Sequence, residues 1–284
     1  IESMVLGEVP MPKPATGAKI GKIIHKPEAI DDYIKFVAST TTERLDGLTV
    51  AFDCANGSSS RTAEKLFTSL GVNCVMLSDK PDGTNINAAC GSTHLENLIA
   101  CVKEKKLDIG IAFDGDADRV LCVDGNGEVV DGDMIMAILA LDMKARGTLK
   151  NNTVVGTIMS NLGFIRFCEA NDIRFSATKV GDRYVLEEML LEDYVFGGEQ
   201  SGHIIFKDFA TTGDGQLSAV QLLAHIHRSG KKLAELKTVM TKYPQLIVNI
   251  RTTDAAKLAF YTDDDVRAIL DEGKEKLGDR GRLV

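Results

Sequence analysis

Short apolar runs alternate with segments of helical periodicity along most of the chain. LTVAFDCA (48–55), NCVMLS (73–78) and LDIGIAF (107–113) have the length and composition of buried strands. The helical patterns RTAEKLFTSLG (61–71) and HLENLIACVKEKK (94–106) separate them. Strand–helix–strand units connect through right-handed crossovers and build a mostly parallel sheet covered by helices. The alternation therefore predicts an α/β fold.

The same pattern begins again in the second half of the chain. Thr49-Val50 and Thr153-Val154 each open a predicted strand, a turn of small residues and a helix, as a duplicated unit would. We therefore expect two successive three-layer α/β domains with mostly parallel sheets. The first occupies residues 1–129, with a connector at 1–29, and the second occupies residues 130–243.

Residues 244–284 resemble the beginning of a third unit that is cut short. QLIVNIRTT (245–253) predicts an isolated strand, and TDDDVRAILDEGKEKLG (262–278) predicts a charged helix. The last residues, GDRGRLV, look like the start of another strand. A chain that opens on Ile and stops in this way is expected to be a fragment of a longer protein.

Local signals set some of the expected boundaries. Thr93 and Glu96 have the spacing of a capping box at the start of a helix. Asp182 is a candidate N-cap for the helix RYVLEEMLLED. VLCVDGNGEVV (120–130) is predicted to be a hairpin that turns at Gly125-Asn126.

Three aspartates follow the predicted strand LDIGIAF directly, in the loop DGDADR. Asp114, Asp116 and Asp118 can converge on one hard divalent cation at the carboxyl edge of the sheet, where parallel α/β sheets bind ligands. Arg119 could balance the acids or contact a phosphate. An EF-hand is excluded because Arg119 replaces its turn glycine and Gly125 replaces its bidentate glutamate. The remaining alternative is a solvated acidic turn.

A second unusual segment is GGEQSGH (197–203). Glu199, Ser201 and His203 alternate, so on an extended backbone their side chains point the same way. A carboxylate, a hydroxyl and an imidazole in a row suit the vicinal hydroxyls of a sugar, and His203 could also carry a proton. The alternative is a glycine-rich hairpin whose polar groups face water.

Two further loops carry weaker signals. TKVGDRY (178–184) ends a predicted strand and opens a helix, so the backbone near Gly181 could face an anion, with help from Lys179 and Arg183. An ordinary strand–helix turn explains the same residues. TTGDGQ (211–216) resembles a loop with an N-cap, for which a structural role is favoured.

Composition excludes several classes of function. The net charge is −8 and no cluster of Lys or Arg occurs, which argues against nucleic-acid binding. No apolar run approaches the roughly 18 residues that span a bilayer, so no membrane association is expected. Six scattered cysteines without a CxxC pair are typical of a reducing compartment, and they predict a cytoplasmic protein.

Together these motifs resemble those of the α-D-phosphohexomutase superfamily. Its metal loop has the form DGDxDR, which residues 114–119 match, and its sugar loop has the form GExSGH, which residues 198–203 match. Gln200, VGDRY (180–184) and TTGDG (211–215) look most like the phosphoglucosamine mutase branch. AFDCANG and GTNINAACG (83–91) are also similar to that branch. The resemblance covers nearly the whole chain in the same order.

The resemblance implies an enzyme of four domains around one cleft. Domain two supplies the Mg²⁺ ligands Asp114, Asp116 and Asp118, and domain three supplies the sugar loop. The implied substrate contacts are Glu199, Ser201, His203, Lys179, Gly181 and Arg119, with His203 and Lys179 as auxiliary groups. A phosphoserine motif of the kind TASHNP and a phosphate loop of the kind RPSGTEP are absent from this sequence. The expectation is domains two and three plus the beginning of domain four, with no catalytic nucleophile.

The implied reaction is the Mg²⁺-dependent interconversion of glucosamine 6-phosphate and glucosamine 1-phosphate through a phosphoserine and a 1,6-bisphosphate. The partner is then a phosphorylated hexosamine, and a homodimer is a candidate assembly. This chain alone is expected to be inactive. The alternatives are a phosphomannomutase/phosphoglucomutase and, from a different class, a non-catalytic module that binds Mg²⁺ or a sugar phosphate.

Overall fold

The computed structural model of the protein describes residues 2–284. Its helices are α1 (Glu2–Val5), α2 (Ala29–Ser39), α3 (Ala63–Ser69), α4 (Glu96–Lys105), α5 (Gly132–Ala145), α6 (Leu162–Ala170), α7 (Asp182–Leu191), α8 (Gly215–Ser229), α9 (Leu233–Leu236), α10 (Asp254–Thr262) and α11 (Asp264–Leu277). Its strands are β1 (Thr49–Asp53), β2 (Asn73–Leu77), β3 (Ile109–Phe113), β4 (Val120–Asp124), β5 (Val129–Val130), β6 (Thr153–Thr157), β7 (Arg174–Thr178), β8 (Phe196–Gly198) and β9 (Ile204–Phe206).

The strands form two sheets. The first has the order β2-β1-β3-β4-β5 and the second has the order β7-β6-β8-β9. In the first sheet β1 is parallel to β2 and β3, whereas β4 and β5 are antiparallel additions. In the second, β6 is parallel to β7 and β8, and β9 is antiparallel. The predicted α/β class is therefore confirmed.

The two sheets repeat one arrangement. The order and directions of β2-β1-β3-β4 recur in β7-β6-β8-β9. β1 and β6, which begin at Thr49 and Thr153, occupy equivalent inner positions. The topology therefore agrees with the internal repeat that the sequence suggested.

Two helices lie in a core that both sheets share. Most residues of α5 and α8 are buried, and both helices contribute to one apolar cluster with residues of each sheet. That cluster contains Phe52 and Phe113 of the first sheet and Phe196 of the second. A helix that is apolar around its circumference is stable only when it is enclosed. The shared core therefore joins the two sheets.

Separate clusters cover the outer face of each sheet. Leu98 and Val102 of α4 pack on Ala112 and Val123 of the first sheet. Val185 and Met189 of α7 pack with Val155 of the second sheet. Each sheet thus has helices on both faces, which is the predicted three-layer arrangement.

Two predicted helix caps are wrong. The N-cap of α4 is Leu95, without a side-chain hydrogen bond, because the amide of His94 closes a turn onto the carbonyl of Gly91 and displaces Thr93 from the capping position. The N-cap of α7 is Gly181, at φ 128°, and Asp182 is the first helical residue. The predicted hairpin between β4 and β5 is confirmed, with its loop beginning at Gly125-Asn126.

The strand predicted at 245–253 is absent, and residues 241–253 have no regular structure. Leu246 is 86% exposed and Ile250 is 77% exposed. A lone strand cannot satisfy its backbone groups, and no strand within the described residues pairs with this segment. The predicted charged helix is confirmed as α11, whereas α10 was not predicted, and the last four residues form no strand.

Among residues 2–284, every helix is too short or too polar to cross a lipid bilayer.

Candidate metal and sugar-binding site

The three aspartates of the acidic loop lie together at the carboxyl end of β3. One carboxylate oxygen from each of Asp114, Asp116 and Asp118 lies within 4.8 Å of the others. The chain turns tightly there because Ala117 has φ 62° and donates its amide hydrogen bond to the carbonyl of Asp114. The carboxylates therefore converge, as the sequence predicted.

The loop that follows β1 supports the acidic loop from one side. The amide of Ser58 donates a 2.9 Å hydrogen bond to the carbonyl oxygen of Gly115. A Cβ atom at Gly57 would lie only 2.1 Å from the same oxygen. Glycine at 57 therefore lets the two backbones approach, and their contact fixes the start of the acidic loop.

Burial and the neighbouring carboxylates destabilise the charged form of Asp114. Burial, followed by repulsion from Asp118 and Asp116, raises the pKa of Asp114 to about 6. The nearest cation is Arg119, whose Nε atom lies 3.9 Å from Asp114 Oδ2 and 3.8 Å from Asp118 Oδ1. Its side chain is 46% exposed, so solvent weakens this compensation.

The acidic loop fits a hard divalent cation. Its donors are carboxylate oxygens, which are the ligands that Mg²⁺ prefers. Asp118 Oδ1 is buried and has no hydrogen-bond partner among the described atoms. A buried oxygen without a partner is costly unless a cation or water satisfies it. Asp114, Asp116 and Asp118 are thus the residues that could hold a metal ion.

The loop GGEQSGH (197–203), which we call the sugar-type loop, forms the turn between β8 and β9. The amide of Gly202 donates to the carbonyl of Glu199 at 3.0 Å, and Gly202 has φ 95°. The predicted extended row of Glu199, Ser201 and His203 is therefore wrong, because a hairpin of two short strands requires a tight turn at this point. The three side chains do not form one row: Glu199 contacts Gly181, Ser201 is exposed to solvent, and His203 contacts Asp118.

The acidic loop and the sugar-type loop are joined through their backbones. The amide of Val120 donates a hydrogen bond to the carbonyl of Gly202, and Arg119 forms an antiparallel β-bridge with His203. The two motifs are 79 or more residues apart in sequence, yet the sheets bring them into contact. The three aspartates and the turn that carries Ser201 are therefore neighbours in the fold.

The three polar residues of the sugar-type loop have different environments. Ser201 is exposed at the tip of the turn. Glu199 is half-buried, and its Oε1 atom accepts a 3.0 Å hydrogen bond from the amide of Gly181. His203 is buried, with its Nδ1 atom 3.0 Å from Asp118 Oδ2. Only Glu199 and Ser201 therefore have surface to offer to a sugar.

A third loop, TTGDG (211–215), completes the site, although sequence reasoning gave it only a structural role. The amide of Gly215 donates to the carbonyl of Ala117 at 2.9 Å, and the amide of Gly213 donates to His203 Nε2 at 2.9 Å. Asp214 caps α8, as the sequence predicted, by accepting from the amide of Leu217. The sequence signal was the pair of glycines around the capping aspartate, because Cβ atoms at 213 and 215 would collide with His203 and Arg119.

A cavity of about 370 Å³ adjoins the acidic loop. Its lining includes Tyr33, Ser58, Thr62, Asp116, Asp118 and Gln216. Hydroxyl groups and carboxylates face the same space, so a polar group bound there lies beside the aspartates. Sequence reasoning did not identify Tyr33, Ser58 or Thr62, and it included Gln216 only as the end of the loop TTGDGQ.

The remaining predicted contacts lie at the start of α7. The Gly181 amide already donates to the carboxylate of Glu199, so in this conformation it is not available to an anionic ligand. Lys179 is exposed, and its Nζ atom lies 5.7 Å from the centre of the Tyr184 ring. Arg183 pairs with Glu187 at 2.9 Å. The ordinary strand–helix turn therefore describes this segment, with Lys179 near its surface.

Family models match both halves of the chain. The model described as phosphoglucomutase/phosphomannomutase, alpha/beta/alpha domain II, matches residues 31–127. The model of alpha/beta/alpha domain III from the same family matches residues 131–243. The two models together account for most of the chain, and they occur in the family's order.

Curated relatives are similar over nearly the whole chain. A phosphoglucosamine mutase from Brevibacillus brevis is 49% identical over 274 residues, which are 96% of this chain and 60% of that protein. One from Acetivibrio thermocellus is 48% identical over 284 residues, which are 100% of this chain and 63% of that protein. The chain thus spans about three fifths of the length of the relatives that it matches.

Solved structures share the fold. A phosphoglucomutase/phosphomannomutase family protein from Burkholderia thailandensis has a TM-score of 0.67 at 24% identity, covering 77% of this chain and 47% of that chain. Aspergillus fumigatus N-acetylphosphoglucosamine mutase, solved with GlcNAc-6P and magnesium, has a TM-score of 0.60 at 19% identity, covering 75% and 54%. This chain belongs to the α-D-phosphohexomutase superfamily, and it contains the family's domains II and III.

Proposed function

We propose that this chain forms the metal-binding and sugar-binding part of a phosphosugar mutase that interconverts glucosamine 6-phosphate and glucosamine 1-phosphate. The observation that supports it is the junction of two motifs. The segment with the three convergent aspartates is joined to the turn that carries Glu199 and Ser201 by a hydrogen bond from the amide of Val120 to the carbonyl of Gly202. The relatives named phosphoglucosamine mutase favour the amino sugar. The cytoplasmic location and the homodimer remain predictions.

Asp114, Asp116 and Asp118 would hold Mg²⁺. When bound there, Mg²⁺ would screen the negative charge of a phosphoryl group during transfer. Arg119 is half-exposed beside the triad, so its guanidinium can bind phosphate oxygens that approach the cation. Mg²⁺ and Arg119 would together supply positive charge for a phosphate in a protein whose net charge is −8.

Glu199 and Ser201 would hold the sugar ring. One carboxylate oxygen of Glu199 is held by the Gly181 amide, which fixes the side chain and leaves the second oxygen for ring hydroxyls. Ser201 offers a hydroxyl at the tip of the turn. A mutase must present either end of the sugar to the same phosphoryl carrier, and contacts to ring hydroxyls serve both orientations. Lys179, exposed near Gly181, is the proposed contact for the distant phosphate.

The phosphoryl carrier is the implied phosphoserine, and the implied intermediate is a 1,6-bisphosphate. The sequence contains no TASHNP-type motif. We therefore expect the chain by itself to bind ligands without turnover, because the covalent route needs the nucleophile.

Isothermal titration calorimetry and a mutase assay on this chain test the proposal. We expect Mg²⁺ to bind the chain, glucosamine 6-phosphate to bind in its presence, and turnover to be undetectable. Asp208→Asn, at an exposed aspartate outside the site, is the matched control and should bind as the unmodified chain does. No binding of either ligand would refute the assignment, and turnover by the chain alone would refute the missing nucleophile.

A phosphomannomutase/phosphoglucomutase and a non-catalytic binding module are the alternatives. A chimera distinguishes them, in which this chain replaces the matching segment of the Brevibacillus brevis relative. We expect the chimera to turn over glucosamine 6-phosphate faster than glucose or mannose 6-phosphate. A reversed preference would favour the first alternative. An inactive chimera whose parent remains active would favour the second.

A further inference from the structure

His203 is buried between two loops, and both of its ring nitrogens are engaged. The side chain is 4% exposed. The amide of Gly213 donates a 2.9 Å hydrogen bond to Nε2, and Nδ1 lies 3.0 Å from Asp118 Oδ2. The carboxylate of Asp182 is 3.8 Å from Nε2, beyond hydrogen-bond distance.

These two contacts define the tautomer of the ring. A backbone amide can only donate, so Nε2 must carry a lone pair, and the ring proton is then on Nδ1. Nδ1–H therefore donates to Asp118 Oδ2. With both nitrogens engaged in this way, the ring has no polar atom left for a sugar hydroxyl.

The two carboxylate oxygens of Asp118 have different environments. Oδ2 is satisfied by the imidazole, whereas Oδ1 is buried without a hydrogen-bond partner among the described atoms. Donation to Oδ2 fixes the rotation of the carboxylate and leaves Oδ1 available to a cation held by the three aspartates. Hydrogen-bond donors behind a metal ligand commonly act in this way, and their loss typically lowers metal affinity by roughly 10–100-fold.

We propose that His203 is a positioning residue for the cation site: its Nδ1–H orients Asp118, and the Gly213 amide sets the tautomer that makes this possible. The proposal rests on the proposed function only in that the three aspartates bind Mg²⁺. In this role His203 orients the metal ligand Asp118, and it neither contacts the sugar nor transfers a proton. This differs from the role that the sequence predicted for it.

Two substitutions separate this role from packing. In His203→Asn, the side-chain amide nitrogen can take the place of Nδ1 and donate to Asp118, whereas the partner of the Gly213 amide is lost. In His203→Gln, the side-chain carbonyl oxygen can take the place of Nε2 and accept from Gly213, whereas the donor to Asp118 is lost. Each variant keeps one of the two contacts.

The measurement is Mg²⁺ affinity by calorimetry, with the melting temperature in EDTA as a separate record of folding. We expect His203→Asn to bind Mg²⁺ within about threefold of the unmodified chain even if it melts lower. His203→Gln should bind roughly 10–100-fold more weakly. Equal affinities in all three proteins, or weaker binding by His203→Asn than by His203→Gln, would overturn the proposal.

A measurement on the unmodified chain covers the case in which the variants do not fold. Nitrogen-15 NMR of the histidine rings should show His203 protonated at Nδ1, with ring signals that shift when Mg²⁺ is added. His225 is the internal control, because its Nδ1 atom also lies 3.0 Å from an aspartate, Asp142, and its signals should not move. Mg²⁺ binding without a shift at His203 overturns the positioning role alone, whereas a chain that binds no Mg²⁺ overturns the proposed function as well.

Discussion

The amide of Val120 donates a 3.1 Å hydrogen bond to the carbonyl oxygen of Gly202, and this contact joins the acidic loop to the sugar-type loop. Gly202 has φ 95°, and a Cβ atom there would lie 2.2 Å from the carbonyl oxygen of Val120. The contact therefore requires glycine for two reasons, backbone conformation and space. A single methyl group at position 202 would therefore disturb the geometry of the site.

Gly202→Ala should separate the two loops. The left-handed conformation alone costs about 1–2 kcal/mol for a residue with a side chain, and the collision with Val120 forces the backbone to move. We expect a lower melting temperature and at least a tenfold loss in affinity for glucosamine 6-phosphate, measured by scanning calorimetry and titration. Gly230→Ala is the matched control, because Gly230 has φ 65° with nothing within 4 Å of the added Cβ. Equal effects of the two substitutions would contradict this prediction.

Asp116→Asn should remove metal binding without unfolding the protein. Asp116 is the exposed member of the triad, so its carboxylate contributes little to stability, whereas the cation loses one of its three charged ligands. We expect Mg²⁺ affinity to fall at least 100-fold and the melting temperature in EDTA to stay within about 2 °C. An unchanged affinity would show that the cation lies elsewhere, and the exposed Asp208→Asn variant shows the effect of charge alone.

Much of this architecture follows from short-range patterns. Strand–helix alternation predicted the two sheets, because apolar runs such as LDIGIAF are stable only when both faces are covered. The convergence of Asp114, Asp116 and Asp118 followed from their position at the end of such a strand. The resemblance of DGDADR and GEQSGH to a known family supplied the expectation that the two loops border one cleft.

Contacts between distant residues were not predictable in the same way. The spacing of Glu199, Ser201 and His203 fitted an extended row, but the hairpin between β8 and β9 imposes a turn, and His203 instead contacts Asp118. The glycines of TTGDG indicated a crowded loop, but they did not indicate that the Gly213 amide donates to His203. The strand predicted at 245–253 had suitable residues, yet a strand also needs a neighbour, which local sequence does not reveal.

Asp142→Ala should destabilise the packing of α5 on α8. Asp142 lies on α5 and accepts hydrogen bonds from His225, at 3.0 Å, and Arg228, at 2.7 Å, on α8. Burial alone would raise the pKa of Asp142, but these two partners hold it below its usual value. Removing the carboxylate leaves the His225 donor unpaired and leaves Arg228 with its weaker partner Glu43, 3.6 Å away, at a cost of about 2–4 kcal/mol. Urea unfolding at pH 7 measures this loss.

Arg146→Ala is the control for that substitution. Arg146 also pairs with Asp142, at 3.5 Å, but its side chain is 43% exposed, so we expect a change below about 1 kcal/mol. Similar losses in the two variants would show that the network at Asp142 does not differ from an ordinary surface ion pair.

Asp133→Asn should change how stability depends on pH. Burial raises the pKa of Asp133 to about 7, even though its Oδ2 atom accepts a hydrogen bond from the amide of Asn161. Between about pH 4 and 7 the unfolded chain has therefore lost a proton that the folded chain keeps. The free energy of unfolding should fall as pH rises through this window, by about 1.4 kcal/mol per pH unit, and level off above it. An amide does not titrate, so from pH 5 to 8 the variant should gain about 2–3 kcal/mol in free energy of unfolding relative to the unmodified protein in urea titrations.

Asp142 contributes a pH dependence of the opposite sign, because its pKa is lowered in the folded protein. Its contribution to stability is present at neutral pH and is lost as the solution becomes acidic. Parallel pH profiles for the Asp133→Asn variant and the unmodified protein would mean that Asp133 is ionised in the folded state at pH 5.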